Sequence, residues 1–175
     1  MKLVHVNEPR LEFFKGTHIC PRRGRASYGV YDQSSLTRRK SILLGAIGTS
    51  KDLEDFAGLL EAMKSPINGA GKDHKGNLFP DFCGFNTETG FHAELVFNQD
   101  LGRPLRQLDI GHIVKIKDRS QRIEEAINIY FEEIKFLAQN RPVAVIFCVL
   151  SKSLFDALSK EAAVEDEEKL EASIE

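Results

Sequence analysis

Between Arg141 and Ser151 the chain reads PVAVIFCVL, and from Val143 to Leu150 the run is apolar without a break. A strand with one solvated face alternates apolar and polar residues, so a run without alternation predicts a strand covered on both faces by helices. Its surroundings agree. Immediately before it, RSQRIEEAINIYFEEIKFLAQN places Ile123, Ala126, Ile127, Tyr130, Phe131, Ile134, Leu137 and Ala138 at helical spacing, predicting a long helix over roughly Ser120–Asn140. Asp118 or Ser120 can cap that helix, and Pro142 ends it. After the run, SLFDAL predicts another short helix.

The first half of the chain repeats the strand-then-helix order. KSILLGAIGTS predicts a strand over Ser41–Ile47, and the following segment an amphipathic helix with Leu53, Phe56, Ala57, Leu60 and Met63 on one face. Thr49 followed by Asp52 matches a capping box and sets the helix start just after Gly48. RLEFF, GFHAELVFN near Ala93–Phe97 and HIVKIKD near His112–Lys117 predict further strands. HICPRRGRASYGVYDQ, broken by Pro21, Gly24 and Gly29, predicts a long basic loop. LFPDFCGFN predicts an irregular aromatic turn in which Asp81 shapes the turn and the rings fill a core. Together these elements predict an α/β, Rossmann-like layered domain: a largely parallel central sheet flanked by helices, with binding loops at the carboxyl ends of its strands. The expected organisation is an N-terminal strand and basic loop over 1–35, an α/β domain over 36–160 and an acidic tail over 161–175.

Composition removes several classes of function. No run approaches the roughly 18 apolar residues of a membrane span, and the start of the chain lacks a secretory h-region, so a cytoplasmic protein without a membrane partner is expected. Cys20, Cys83 and Cys148 form no C-x-x-C pair. Metal chemistry therefore finds no support, the nearest cluster being His18 with Cys20 and Cys83. Cys148 reads as a small buried hydrophobe. The net charge of -2 conceals an asymmetry: residues 161–175 hold seven carboxylates against one lysine, leaving the rest of the chain mildly basic.

Two strand-to-helix turns are candidate anion sites. In GAIGTS, Gly48, Thr49 and Lys51 stand where helix N–H groups are free; in LSKS, Ser151, Lys152 and Ser153 do. Neither turn is a P-loop or a G-x-G-x-x-G fingerprint. No nucleophile elbow, zincin or kinase motif is present, and the reading is a binding domain rather than an enzyme.

Taken in order, these motifs resemble the first part of a short prokaryotic Argonaute, the class built of MID and PIWI domains alone. LEFFKG precedes PRRGRASYGVYD, which is similar to the family's P-R-x-G followed by a G-P-[YF]-D type turn, here Tyr28, Gly29, Val30, Tyr31 and Asp32. A strand ending in GAIGT, an amphipathic helix and LFPDFCGFNTETGF, similar to the family's L-F-P-G-F segment, continue the pattern. VAVIFCVLSKSLFDAL takes the place of the strand and turn leading to the guide-binding pocket. Val30 and Asp81 depart from the family's proline and glycine. The resemblance implies a MID-like domain that contributes to binding the 5′ end of a guide RNA, and to guided recognition of DNA in prokaryotic defence. It also implies that the phenylalanines plug against the MID sheet.

Partners so implied are guide RNA, target DNA, the remaining PIWI portion of the same protein and a TIR-APAZ or sirtuin-APAZ effector. The family's phosphate-binding quartet has no counterpart here, since after Leu150 come only Lys152, Lys160 and Lys169, without Tyr, His or Gln. No slicing tetrad is present either, and the expectation is that the chain is a fragment of a longer protein. No cofactor is expected on this fragment, while a divalent cation (Mg) would join the guide phosphate where downstream sequence supplies its ligands. Ser151, Lys152 and Ser153 are the residues expected nearest the guide, with Arg22, Arg23 and Arg25 second. The alternative reading is a Rossmann-like domain for a small molecule or phosphometabolite, or an enzyme subunit.

Overall fold

The computed structural model describes residues 8–69 and 79–159. Leu78, most of the glycine-rich loop and the acidic tail lie outside the described residues. Contacts divide the chain into two compact units, Met1–Ile42 with Leu59–Val96 and Leu43–Gly58 with Phe97–Glu175.

In the first unit, β1 (Leu11–Phe13) and β2 (Gly16–His18) form an antiparallel hairpin. The helix α1 (Pro21–Tyr28) follows, where a loop was expected. Pro21 and Gly29 misled because both punctuate a helix as well as break one. Proline at the first helical position forfeits an N–H that has no intrahelical partner, and Gly29, at φ 78°, ends the helix with its N–H on the Arg25 carbonyl. Gly24 sits inside the helix, where a larger residue would run into the Phe13 ring.

The aromatic segment is irregular, as its composition predicts. Isolated bridges join Ile67 to Phe82 and Phe85 to Gly90, and the Asp81 carboxylate accepts the Gly69 N–H at 2.8 Å, closing the turn. Phe85 stacks on Phe91 with centroids 4.1 Å apart, and Phe82 leans on both. Phe79 stays exposed.

The central strand is β3 (Ser41–Gly48). Among the described residues the four-stranded sheet has the order β4-β3-β5, with β6 also paired to β3; here β4 is Glu94–Val96, β5 Gly102–Pro104 and β6 Val145–Cys148. β5 and β6 both run parallel to β3. Helix α2 (Ser50–Ala62) follows β3, a 3-10 turn (Gln99–Leu101) precedes β5, and α3 (Gln107–Lys115) and α4 (Arg119–Asn140) separate β5 from β6. A last helix over 152–159, here α5, reaches the end of the described residues. The fold is an α/β layered one, a parallel sheet flanked by helices, as predicted.

In the second unit, Ile47 packs with Leu105, Ile110, Ile113, Ala126, Tyr130, Leu137 and Leu154. Gly45 brings β3 close to α4, since an added Cβ would meet the Leu137 side chain at 3.0 Å. The Asp118 carboxylate accepts the Gln121 N–H at 2.7 Å and starts α4.

Three expectations fail here. The segment expected as a strand over His112–Lys117 is mostly α3, because Ile110 and Ile113, three apart, are both buried and enforce a helical period over the short alternation after Ile113. β6 is not covered on both faces: Val145 and Phe147, two apart and so on one face, remain 45% and 41% exposed. Cys148 is exposed rather than buried.

Candidate functional site

Parallel pairing sets the ends of three strands side by side. Gly48 faces Pro104, and Ile47 faces Cys148. Two further bonds extend the pairing into the loops, Leu105 N–H to the Gly48 carbonyl at 2.8 Å and Val149 N–H to the Ile47 carbonyl at 2.7 Å. From this edge the chain enters α2, α3 and α5, so three helix N-termini gather there. β5 and β6 lie on opposite sides of β3. The chain therefore reverses its direction of travel across the sheet between them, which is where open α/β sheets form a crevice.

The two predicted turns adjoin each other. A Cβ on Gly48 would come within 3.0 Å of the Val149 carbonyl, so glycine is what lets the loops touch. Thr49 is buried, and its N–H and Oγ1 both donate to Asp52 Oδ2, at 3.0 and 2.6 Å, while Asp52 N–H donates back to Thr49 Oγ1 at 3.3 Å. This is the predicted capping box. Its consequence is that the chain's own carboxylate takes the donors at the head of α2. Lys51 turns to Asp55, reaching its two oxygens at 3.0 and 3.2 Å, and the hydrogen bond and charge of Asp55 hold the ammonium pKa above its ordinary value.

At the head of α5 the arrangement is more open. Ser151 is buried, and its Oγ accepts the Leu154 N–H at 3.3 Å and lies 3.2 Å from Ser153 Oγ. Lys152 and Ser153 are exposed. The three arginines belong to the first unit, on α1. Arg22 and Arg23 are exposed, whereas Arg25 lays its guanidinium 4.3 Å over the Phe91 ring and donates to Cys83 Sγ, which makes it part of that unit's packing.

Two residues at the edge escaped the sequence reading. Tyr130, taken for one more member of an apolar stripe, donates its hydroxyl to the Val149 carbonyl at 2.8 Å and so fixes the β6 exit. Burial, then the charge of Asp52 and then Cys148, push its phenol up to about 12. Arg106 precedes α3 and holds Asp109 through both oxygens, at 2.9 and 3.1 Å. With Thr49, Ser50, Lys51 and Leu105 it lines a cleft of about 340 Å³. A spacing of three between Arg106 and Asp109 was the available signal. Beside this cleft, Leu53, Ala57, Phe97 and Pro104 line a second, more apolar one of about 400 Å³.

Among the described residues no group of three or more His, Cys, Asp or Glu side chains could hold a metal ion. His18 Nδ1 is occupied by the Cys20 N–H at 2.8 Å. Ser151, Lys152 and Ser153 offer no carboxylate, so they do not by themselves fit a divalent cation beside a bound phosphate. No helix among the described residues is long and apolar enough to cross a membrane.

Fold and edge together define an α/β layered protein of Rossmann-like type, with two adjoining strand-to-helix turns at the carboxyl end of its sheet. No protein-family model matches the chain, and no curated protein matches it.

Proposed function

We propose that the protein is a non-catalytic nucleic-acid-binding domain that contributes to holding the 5′ end of a guide RNA, as in the MID portion of a short prokaryotic Argonaute. The observation that carries this reading is the pairing of β3 with β6, which sets the Gly48–Thr49 and Val149–Ser151 turns side by side at one edge of the sheet. Of the two, the α5 turn is the better anion site. Ser151 Oγ takes the Leu154 N–H there and Lys152 is exposed, whereas the head of α2 already holds a carboxylate, that of Asp52, which repels an incoming anion. By the same resemblance the domain works in guided recognition of DNA, with the PIWI portion and a TIR-APAZ or sirtuin-APAZ effector as partners.

Titration of 5′-phosphorylated and 5′-hydroxyl RNA of one sequence, at several salt concentrations, tests the proposal. The phosphorylated end binds more tightly, and affinity falls steeply with salt. Lys152→Ala lowers the salt slope by about one phosphate contact. Equal affinity for the two ends argues against the reading.

A second reading, a small-molecule or phosphometabolite domain, draws on the apolar cleft of about 400 Å³, which falls in the size range of small-ligand sites. Such a ligand would bind with little dependence on salt.

A further inference from the structure

Four residues of α2, Ser50, Leu53, Glu54 and Ala57, fall at helical spacing on one stripe, and that stripe is one wall of the apolar cleft of about 400 Å³. Phe97, Gln99, Gly102 and Pro104 form the other wall. All eight belong to the second unit. Packing holds the walls in place: Phe97 makes an edge-to-face pair with buried Phe56, their centroids 5.3 Å apart. At Gly102 a Cβ would come within 3.3 Å of Phe97 Cζ and 3.4 Å of Leu53 Cδ1, so bare backbone there keeps the space between the two side chains open.

The cleft has one sign of charge. Of the residues that line it, Glu54 alone is ionised. Its carboxylate makes no hydrogen bond or ion pair with any described residue. Lys51, the cation that feels its field, is instead bonded to both oxygens of Asp55. The Ser50 hydroxyl and the Gln99 amide complete the polar groups of the lining, and both are neutral.

This combination selects a ligand. Leu53, Ala57, Phe97 and Pro104 suit an apolar body, and an uncommitted carboxylate beside them suits a cation. A phosphate or carboxylate in the same place would meet Glu54 with no lysine, arginine or histidine in the lining to offset it. The positive end of α2 does not reverse the preference, because the Asp52 carboxylate already answers it.

We propose that this cleft binds a small organic ammonium ion: an amine carried on a ring or branched apolar body that bears no phosphate or carboxylate. The proposal rests on the small-molecule reading and narrows it, excluding a phosphometabolite from this cleft.

The test titrates the full chain with tryptamine, with its uncharged analogue tryptophol and with indole-3-propionate. Binding is followed by fluorescence anisotropy of the indole, which the chain, having no tryptophan, does not obscure. Tryptamine is expected to bind about three- to fivefold tighter than tryptophol, the gain that one exposed ion pair supplies, and indole-3-propionate to bind weakest. Glu54→Gln, at an exposed helical position, brings the tryptamine and tryptophol affinities together with an unchanged melting curve. Ala57→Leu, also at an exposed position of α2, fills the cleft and weakens both. Equal binding of tryptamine and tryptophol to the native chain, or a preference for tryptamine that survives Glu54→Gln, overturns the proposal and leaves a small-molecule site standing. Undiminished binding to Ala57→Leu overturns it by placing the amine elsewhere. Binding of none of the three overturns it together with the small-molecule reading of the cleft.

Discussion

Tyr130 shows how much one side chain can do at the sheet's edge. Its hydroxyl supplies a hydrogen bond to the Val149 carbonyl where β6 leaves the sheet. Tyr130→Phe keeps the ring and removes that donor, and is expected to cost about 1–3 kcal/mol in thermal or denaturant unfolding. Burial raises the folded-state phenol to about 12, from an ordinary value of 10.0. The folded state therefore holds its proton where the unfolded state has lost it. This contribution is fully present below about pH 10 and disappears as pH rises towards about 12. A difference titration at 295 nm between the native chain and Tyr130→Phe should show the high midpoint, and the variant should lose less stability over that pH window. Two glycines give opposite predictions. Gly90 has φ 64°, and a Cβ there would strike the Gly84 carbonyl oxygen, so Gly90→Ala should destabilise by about 1–3 kcal/mol. Gly58 lies inside α2, with nothing within 4 Å of an added Cβ, and Gly58→Ala should stabilise by about 0.4–1 kcal/mol. Chemical denaturation of both variants checks the pair.

Among the elements, those with both a cap and a period were legible. α4 declares itself through Asp118 and its stripe, and Asp118→Ala should cost about 1 kcal/mol in urea unfolding through loss of the Gln121 contact. β3 and α2 were equally plain, since the Thr49–Asp52 pair marks their junction. α1 was not, because its proline and glycines carry two meanings until Phe13 is seen packed against Gly24. α3 was lost to a short alternation that buried Ile110 and Ile113 override. At the candidate site, the two turns could be placed from sequence, being strand exits in a parallel sheet. What could not be read is how their donors are used. That Asp52 takes both the N–H and the hydroxyl of Thr49, or that Tyr130 leaves the core stripe to reach Val149, depends on distances that spacing alone does not set. Exposure was the other hidden quantity. VAVIFCVL looks interior because of what it contains, and among the described residues stands at an edge because of what lies next to it.

For the whole chain, charge distribution matters more than the net value of -2. Seven carboxylates within residues 161–175 add repulsion against any polyanion bound by the mildly basic remainder. On the proposed reading, ending the chain after Lys160 should strengthen RNA binding at low ionic strength, by a factor that shrinks as salt rises, measured by fluorescence anisotropy at 50 and 200 mM salt. An unchanged affinity would show that the tail exerts no such field on the bound RNA.

β3 is the spine on which the sheet closes, yet its partners come late: Ala46 faces Gly102 on one side and Phe147 on the other. On a ribosome adding roughly 5–20 residues each second, the apolar stretch of β3 therefore waits for several seconds before its last neighbour emerges. Loop closure over such separations also makes folding slow by its nature. Throughout that interval the nascent chain carries a sticky strand without its mate, so yield during synthesis depends on how well the cell shields it.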